Sequence, residues 1–381
     1  MTLDPKSSFG FARMRVEAGE RRDFLPETIS WLHKAGAQIF LEHGYGSGMG
    51  YQPSDYLQLA PSAVFTSHEE VYQKDYVVVL RCPADEELRM LQPGSCLVSM
   101  LHYPTRPKRT EFIHSLGIEG ISLDSIKDDV GRRLIENLRS VAWNGMEVAF
   151  RTLRIIYPAP GFESPHRDPI RVTLLGAGAV GVHVVQAGIR HGDPQLWREM
   201  VERGVPGAQI TVVDYDSTSM QDVMLPLLEK TDILVDATQR PDPSQPVIPN
   251  QWLASLPQHA VLLDLSVDPY DCGDNSPISV KGIEGIPQGN LDQYVFAPDD
   301  PAYDKIPACI STKHRRYAVS CYSWPGIHPR KCMQVYGQQL RPIFSTLVER
   351  GGVENIRSRG RYFERAVHRA MLSHWQNNQT G

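Results

Sequence analysis

Ile170-Arg-Val-Thr-Leu-Leu-Gly-Ala-Gly-Ala-Val-Gly181 is the stretch that decides the fold. Its first six residues are mostly apolar and partly β-branched, the signature of a short buried strand. Glycines follow at 176, 178 and 181, and then an apolar, helix-like segment from Val182 to Ile189. Strand, glycine turn and helix in that order form a phosphate cradle. Gly176 permits the tight turn, Gly178 lets a pyrophosphate approach the backbone, and Gly181 lets the helix pack on the strand. The first helical residues, Ala179 and Val180, offer unpaired N–H groups to the phosphates.

Working outward, Gln209-Ile-Thr-Val-Val213 reads as a second buried strand ending in Asp214. A carboxylate at that place accepts hydrogen bonds from ribose hydroxyls and repels a 2′-phosphate, so NAD is expected rather than NADP. Asp214 stands further along than the usual ~20 residues, because the charged stretch His191 to Gly207 intervenes; Asp216 could share its task. Asp232 to Asp236 and Ala260 to Ser266 are further strand candidates. The alternation predicts a doubly wound parallel sheet from about residue 165 to residue 325.

Upstream, Tyr157 to Pro169 holds four prolines and reads as a linker. The first 150 residues repeat the α/β theme. Strand candidates are Ala37 to Glu42, Tyr76 to Leu80, Ser95 to Leu101 and Gly117 to Ser122, with helical patterns at Glu27 to Ala35, Ser67 to Gln73 and Lys108 to Ser115. Gly131 to Ile156 has apolar residues at three- and four-residue spacing, which predicts one long linker helix. The tail from Met333 to Trp375 reads as two more helices.

The chain has 381 residues, more than one core usually organises. Its 41% hydrophobic and 22% charged content describe a soluble globular protein. A net charge of -5, from 39 basic and 44 acidic side chains, gives no drive toward nucleic acid or an anionic membrane. No run of about 18 apolar residues occurs and the N-terminus lacks a signal-peptide core, so a cytoplasmic protein is expected. The six cysteines are scattered without a C-x-x-C pair, which predicts separate reduced thiols and no metal site.

Several local motifs resemble the superfamily of alanine dehydrogenase, the transhydrogenase N-terminal domain and lysine-forming saccharopine dehydrogenase. They are Gly19-Glu-Arg-Arg-Asp-Phe-Leu-Pro26, the glycine-rich Leu41 to Gly50, Met100-Leu-His-Tyr103, Leu263-Asp-Leu-Ser-Val-Asp268 and Trp324-Pro-Gly-Ile-His-Pro-Arg330. The tail, with Arg361-Tyr-Phe-Glu-Arg365, leans toward the saccharopine branch. The resemblance implies two Rossmann-like domains, the NAD-binding one inserted into a discontinuous substrate domain. It divides the chain into a first part of the substrate domain at 1–140, an NAD-binding domain with the linker helix at 141–325, and C-terminal helices at 326–381 that return to the substrate domain.

The same resemblance makes Arg22 a carboxylate anchor, His102 the catalytic acid/base, and Asp268 a residue facing the nicotinamide or the substrate nitrogen. Arg81 departs from the pattern, since family dehydrogenases carry a catalytic lysine there. A guanidinium stays protonated and cannot shuttle a proton, but it clamps a carboxylate bidentately. The implied activity is NAD(H)-dependent oxidation or reduction at the C–N bond of an amino acid or its imine, of opine or saccharopine type. Alanine dehydrogenase proper and a non-catalytic NAD-binding regulator are the alternatives. The expected partner is a small carboxylate or amino acid, and a homo-oligomer is left open because the resembled families include monomers and higher assemblies.

Overall fold

A computed structural model describes residues 7–272 and 279–379; the polar segment Met1 to Lys6, read above as lacking a signal core, lies outside the described residues. The chain divides into two compact units. One combines the residues up to Asn137 with those from His328 onward, and the other is Leu138–Ile327.

The first unit is built on a six-stranded parallel sheet. Its strands are β1 (Ser8–Phe11), β2 (Gln38–Glu42), β3 (Val64–Thr66), β4 (Tyr76–Arg81), β5 (Cys96–Met100) and β6 (Glu119–Ser122), in the order β3-β2-β1-β4-β5-β6. Parallel strands covered on both faces read as continuous apolar runs, and β4, Tyr-Val-Val-Val-Leu-Arg, is buried along all but its last residue. β1 escapes that rule. It is four residues long, and a Cβ on Gly10 would collide with the carbonyl oxygen of Val71, so a glycine interrupts the apolar run.

Helices cover the sheet, and two of them share one of its cores. Pro26–Ala35 starts on a proline at its first turn and stops at Gly36, whose φ of 94° is open to glycine. The helix Pro329–Arg350, first of three in the tail among the described residues, buries Leu340, Ile343, Phe344 and Leu347, a three- and four-residue spacing that forms one apolar stripe. The Phe344 ring meets Phe11 and Phe24 edge-on at 6.4 and 6.0 Å between centroids, so the tail completes the core opened by the first strand.

The second unit holds β7 (Ile170–Leu175), β8 (Ala208–Val213), β9 (Ile233–Asp236), β10 (Val261–Asp264), β11 (Val295–Phe296) and β12 (Tyr317–Ser320). Their order is β11-β12-β10-β9-β7-β8, parallel except for β11. The long helix begins at Leu138, not Gly131, and buries Ala142, Met146, Ala149 and Leu153. Within the charged stretch after His191 a further helix, Pro194–Glu202, is capped by Asp193, which accepts from the N–H groups of Gln195 and Leu196 at 2.9 and 3.2 Å.

The architecture is α/β, with two parallel-dominated, Rossmann-like sheets. One expectation is corrected: Cys272 and Cys309 are joined in a disulfide, because the loop after β10 and the loop before β12 bring them together. Cys82, Cys96, Cys321 and Cys332 are buried free thiols. Among the described residues, no helix is long and apolar enough to cross a membrane.

Candidate active site

In an open parallel sheet, ligands gather at the carboxyl ends of the strands where the strand order reverses. In the first unit that point lies between β1 and β4. A cavity of about 180 Å³ opens there, lined by Arg13 and Arg15 after β1, by Arg81 at the end of β4, and by His102 after β5.

His102 takes a left-handed backbone conformation, φ 52° and ψ 49°, which costs a side-chain-bearing residue on the order of 1–2 kcal/mol. Asp124, two residues beyond β6, supports it. One carboxylate oxygen accepts the His102 backbone N–H at 3.2 Å, and the other lies 3.4 Å from the ring Nδ1. The Ser122 hydroxyl donates to the same carboxylate at 2.8 Å. Burial alone would push the Asp124 carboxyl up, but the hydrogen bonds and charge of His102, with Ser122, outweigh it and hold it down at about 2. An ionised, buried carboxylate therefore orients an imidazole whose side chain is 51% exposed to the cavity.

Arg81 pairs with Glu17, Nη2 to Oε1 at 3.3 Å, both side chains about a third exposed. Arg22 is placed differently. It is buried, its Nε donates to Glu20 at 2.8 Å, and its Nη1 lies 3.8 Å from the Cys332 sulfur. Burial pushes the Glu20 carboxyl up, yet the adjacent guanidinium of Arg22 prevails and lowers it. Glu20 lines the cavity and Arg22 does not, so the structure brings together Arg81 and His102 but keeps the third expected residue behind a carboxylate.

In the second unit the sheet order reverses at β7, and the glycine turn follows that strand. Gly176 has φ 90°, and a Cβ there would press on the carbonyl of Ala237. A Cβ on Gly181 would collide with the carbonyl of Gly176, so only glycine lets the helix sit this close to the turn. Gly178 faces open space and is the N-cap of the helix Ala179–Gly188, whose first residues include Val180. These residues fit a bound pyrophosphate: an open glycine surface in front of unpaired helical N–H groups. Asp214 stands at the end of β8, exposed, and accepts the Tyr215 N–H at 2.9 Å.

Asp268 lies in the loop after β10 and pairs with Arg240 at 2.7 Å. The loop is strained at Val267, φ 59°, and is held by a buried ionic cluster. Lys281, wholly buried, donates to Asp264 Oδ2 at 2.7 Å and to the Asp268 carbonyl at 2.9 Å. Asp264 also accepts the Val267 N–H at 2.8 Å and the Ser320 hydroxyl at 3.0 Å. Across the ladder, Asp236 is the register partner of Asp264. Burial and the neighbouring Asp264 charge push its carboxyl up to about 6 against the hydrogen bonds from Thr238 and Ser266.

Sequence reasoning passed over Asp124, Lys281 and the cavity arginines 13, 15, 106 and 109. Asp124 reaches His102 through strand pairing, Ser99 opposite Ser122, which no local motif announces. Arg106 and Arg109 did carry a signal, since both lie shortly after the His102 motif in one basic run, Arg106-Pro-Lys-Arg109.

Comparison with known proteins agrees with this architecture. Residues 15–142 match the family model of the alanine dehydrogenase/PNT N-terminal domain. The chain is 20% identical to alanine dehydrogenase of Geobacillus stearothermophilus, over 64% of this chain and 67% of that protein. It is 22% identical to the NAD(P) transhydrogenase subunit alpha of Haemophilus influenzae, over 47% of this chain but only 35% of that subunit. A solved L-alanine dehydrogenase superposes with a TM-score of 0.71 at 16% identity, covering 96% of this chain and 94% of the other. Residues 15–142 thus resemble an alanine dehydrogenase/PNT N-terminal domain, and the chain is similar to alanine dehydrogenases and to a transhydrogenase subunit.

Proposed function

We propose that the chain is an NAD(H)-dependent oxidoreductase acting on the C–N bond of an amino acid or its imine, the first unit binding substrate and the second the dinucleotide. The observation that carries the reading is the His102–Asp124 pair, whose imidazole shares a cavity with Arg81 at the switch point of a parallel sheet. The name of one relative, alanine dehydrogenase, supports chemistry on an amino acid, and that of another, NAD(P) transhydrogenase subunit alpha, supports a nicotinamide dinucleotide.

In the reductive direction a 2-oxo acid and an amine lose water to form an imine. NAD(H) held by the second unit would supply the hydride chemistry that reduces the imine carbon. The nitrogen needs a proton, and His102 Nε2 delivers it, because Nδ1 is engaged by Asp124. Asp124 fixes the ring and stabilises the imidazolium whenever the proton returns, without itself taking the proton. Arg81 anchors the substrate carboxylate; its pair with Glu17 is solvent-exposed and is readily exchanged for a substrate anion. Arg22 anchors substrate in this reading only after release from Glu20, so the first carboxylate contact is assigned to Arg81.

Gly176, Gly178, Ala179, Val180 and Gly181 would hold the pyrophosphate, Asp214 would take the ribose hydroxyls and exclude a 2′-phosphate, and Asp268 would orient the nicotinamide. The test is NADH oxidation with pyruvate, 2-oxoglutarate or glyoxylate, each paired with ammonia, lysine or ornithine. Turnover with at least one pair is expected, and activity with none rejects the reading. Turnover confined to pyruvate and ammonia would mark an alanine dehydrogenase proper, the activity named for the curated relatives.

A further inference from the structure

The cavity beside His102 holds more positive charge than a simple 2-oxo acid requires. Five arginines line it, at 13, 15, 81, 106 and 109, against three glutamates at 17, 20 and 87. Glu17 offsets one of these arginines, and the other two glutamates are committed elsewhere. Glu17 pairs with Arg81, Glu20 with the buried Arg22, and Glu87 accepts the Ala84 N–H at 2.9 Å and faces His68 Nε2 at 3.6 Å.

Besides Arg81, two more of the arginines have acidic neighbours. Arg15 is paired with Glu42, and Arg13 has Asp23 at 4.0 Å. Arg106 and Arg109 have no carboxylate within 4 Å among the described residues, although Arg109 is only partly exposed. Arg106 is the N-cap residue of the helix Pro107–Ser115 and Arg109 lies in its first turn, and both line the cavity. They also follow His102 directly in the chain, with only the short turn Tyr103–Thr105 between, so one continuous segment carries the proton-transfer group and both cations. Cations left uncompensated in a cleft raise the local concentration of anions and reward an anionic ligand.

We infer that Arg106 and Arg109 bind a second anionic group, a carboxylate or a phosphate ester, at the far end of the substrate, so that the site selects a dianionic oxo acid over pyruvate. Arg81 takes the carboxylate next to the reacting carbon, and the arginine pair takes the distal one. This assignment rests on the oxidoreductase reading for the identity of the near end. The volume of about 180 Å³ leaves room for the longer molecule, since a single water needs only ~15 Å³.

Isothermal titration of the full chain with pyruvate, 2-oxoglutarate and 3-phosphonopyruvate tests it. At least one dianion is expected to bind about tenfold or more tighter than pyruvate, since charge-assisted bidentate contacts are the strong ones. The preferred dianion tells a carboxylate from a phosphate-type terminus. Arg106→Ala/Arg109→Ala should remove that advantage and leave pyruvate binding unchanged, and the Arg106→Gln/Arg109→Gln pair serves if the alanine pair fails to fold. Equal binding of all three ligands, or a dianion preference that survives both double variants, overturns the proposal. Turnover of pyruvate alone with no dianion binding would defeat this inference and spare the oxidoreductase reading. Dianion binding through the two arginines without any NADH oxidation would do the reverse.

Discussion

The Nδ1 atom of His102 lies 3.4 Å from Oδ2 of Asp124, while Oδ1 of the same aspartate accepts the His102 backbone N–H at 3.2 Å. One carboxylate thus controls both the rotamer of the ring and the left-handed backbone that presents it. Positioned proton transfer contributes typically 10²–10⁴-fold, so His102→Ala should lower kcat by roughly that factor while NADH affinity, read by fluorescence titration, stays the same. A non-catalytic dinucleotide sensor would have no turnover to lose, and wild-type activity in this variant would remove His102 from the mechanism.

Asp124 also ties stability to pH. Its carboxyl is held at about 2 in the fold, below the ordinary 3.8, so it stabilises the native state above pH 4 and loses that contribution as pH falls through about 2. The difference corresponds to about 2 kcal/mol. Asp124→Asn should therefore be less stable than wild type by about that amount at neutral pH, and the gap should close in acid. Urea melts at pH 7 and at pH 3 measure it; a gap independent of pH would assign the loss to packing instead.

The second and third glycines after β7 separate fold from ligand. A Cβ on Gly178 meets nothing within 4 Å, whereas one on Gly181 collides with the Gly176 carbonyl. Gly178→Ala should keep the wild-type melting temperature and bind NADH at least about tenfold more weakly. Gly181→Ala should lower the melting temperature itself. Unchanged NADH affinity in Gly178→Ala would place the pyrophosphate elsewhere.

Asp236 behaves oppositely to Asp124. Its carboxyl is raised to about 6 by burial and by Asp264, so the protonated form suits the fold, and that stabilisation is present below about pH 4 and lost as pH rises through 6. Asp236→Asn, which keeps the shape without the charge, should gain on wild type steadily between pH 4 and pH 7 in melting temperature. A constant difference over that range would show that Asp236 does not change its protonation there.

Where burial on both faces dictated the composition, the strands were readable. β7 begins and ends where its apolar run does, and β4 and β9 fall within one residue of theirs. β1 was hidden because Gly10, required by the Val71 carbonyl, breaks a four-residue run, and β3 because three residues at a sheet edge carry too little pattern. The glycine turn is a local event, and its backbone was legible from spacing alone. Asp124 was not, since it meets His102 only through the pairing of β5 with β6. Nor does the run Glu20-Arg-Arg-Asp23 say which charge the Arg22 guanidinium satisfies; burial of the Glu20–Arg22 pair decides that in three dimensions.

The discontinuity of the first unit has a consequence during synthesis. Phe11 and Phe24 emerge early, but Phe344, which packs on both, follows only after the whole of Leu138–Ile327. At ~5–20 residues per second, that leaves the N-terminal sheet without its C-terminal helix for roughly 10–40 s. For that interval an apolar surface stays open on the nascent chain while the intervening unit, whose residues are contiguous, is free to fold first. Chaperone demand in the cell should therefore fall on the N-terminal third, and a chain terminated after Ile327 should aggregate through it.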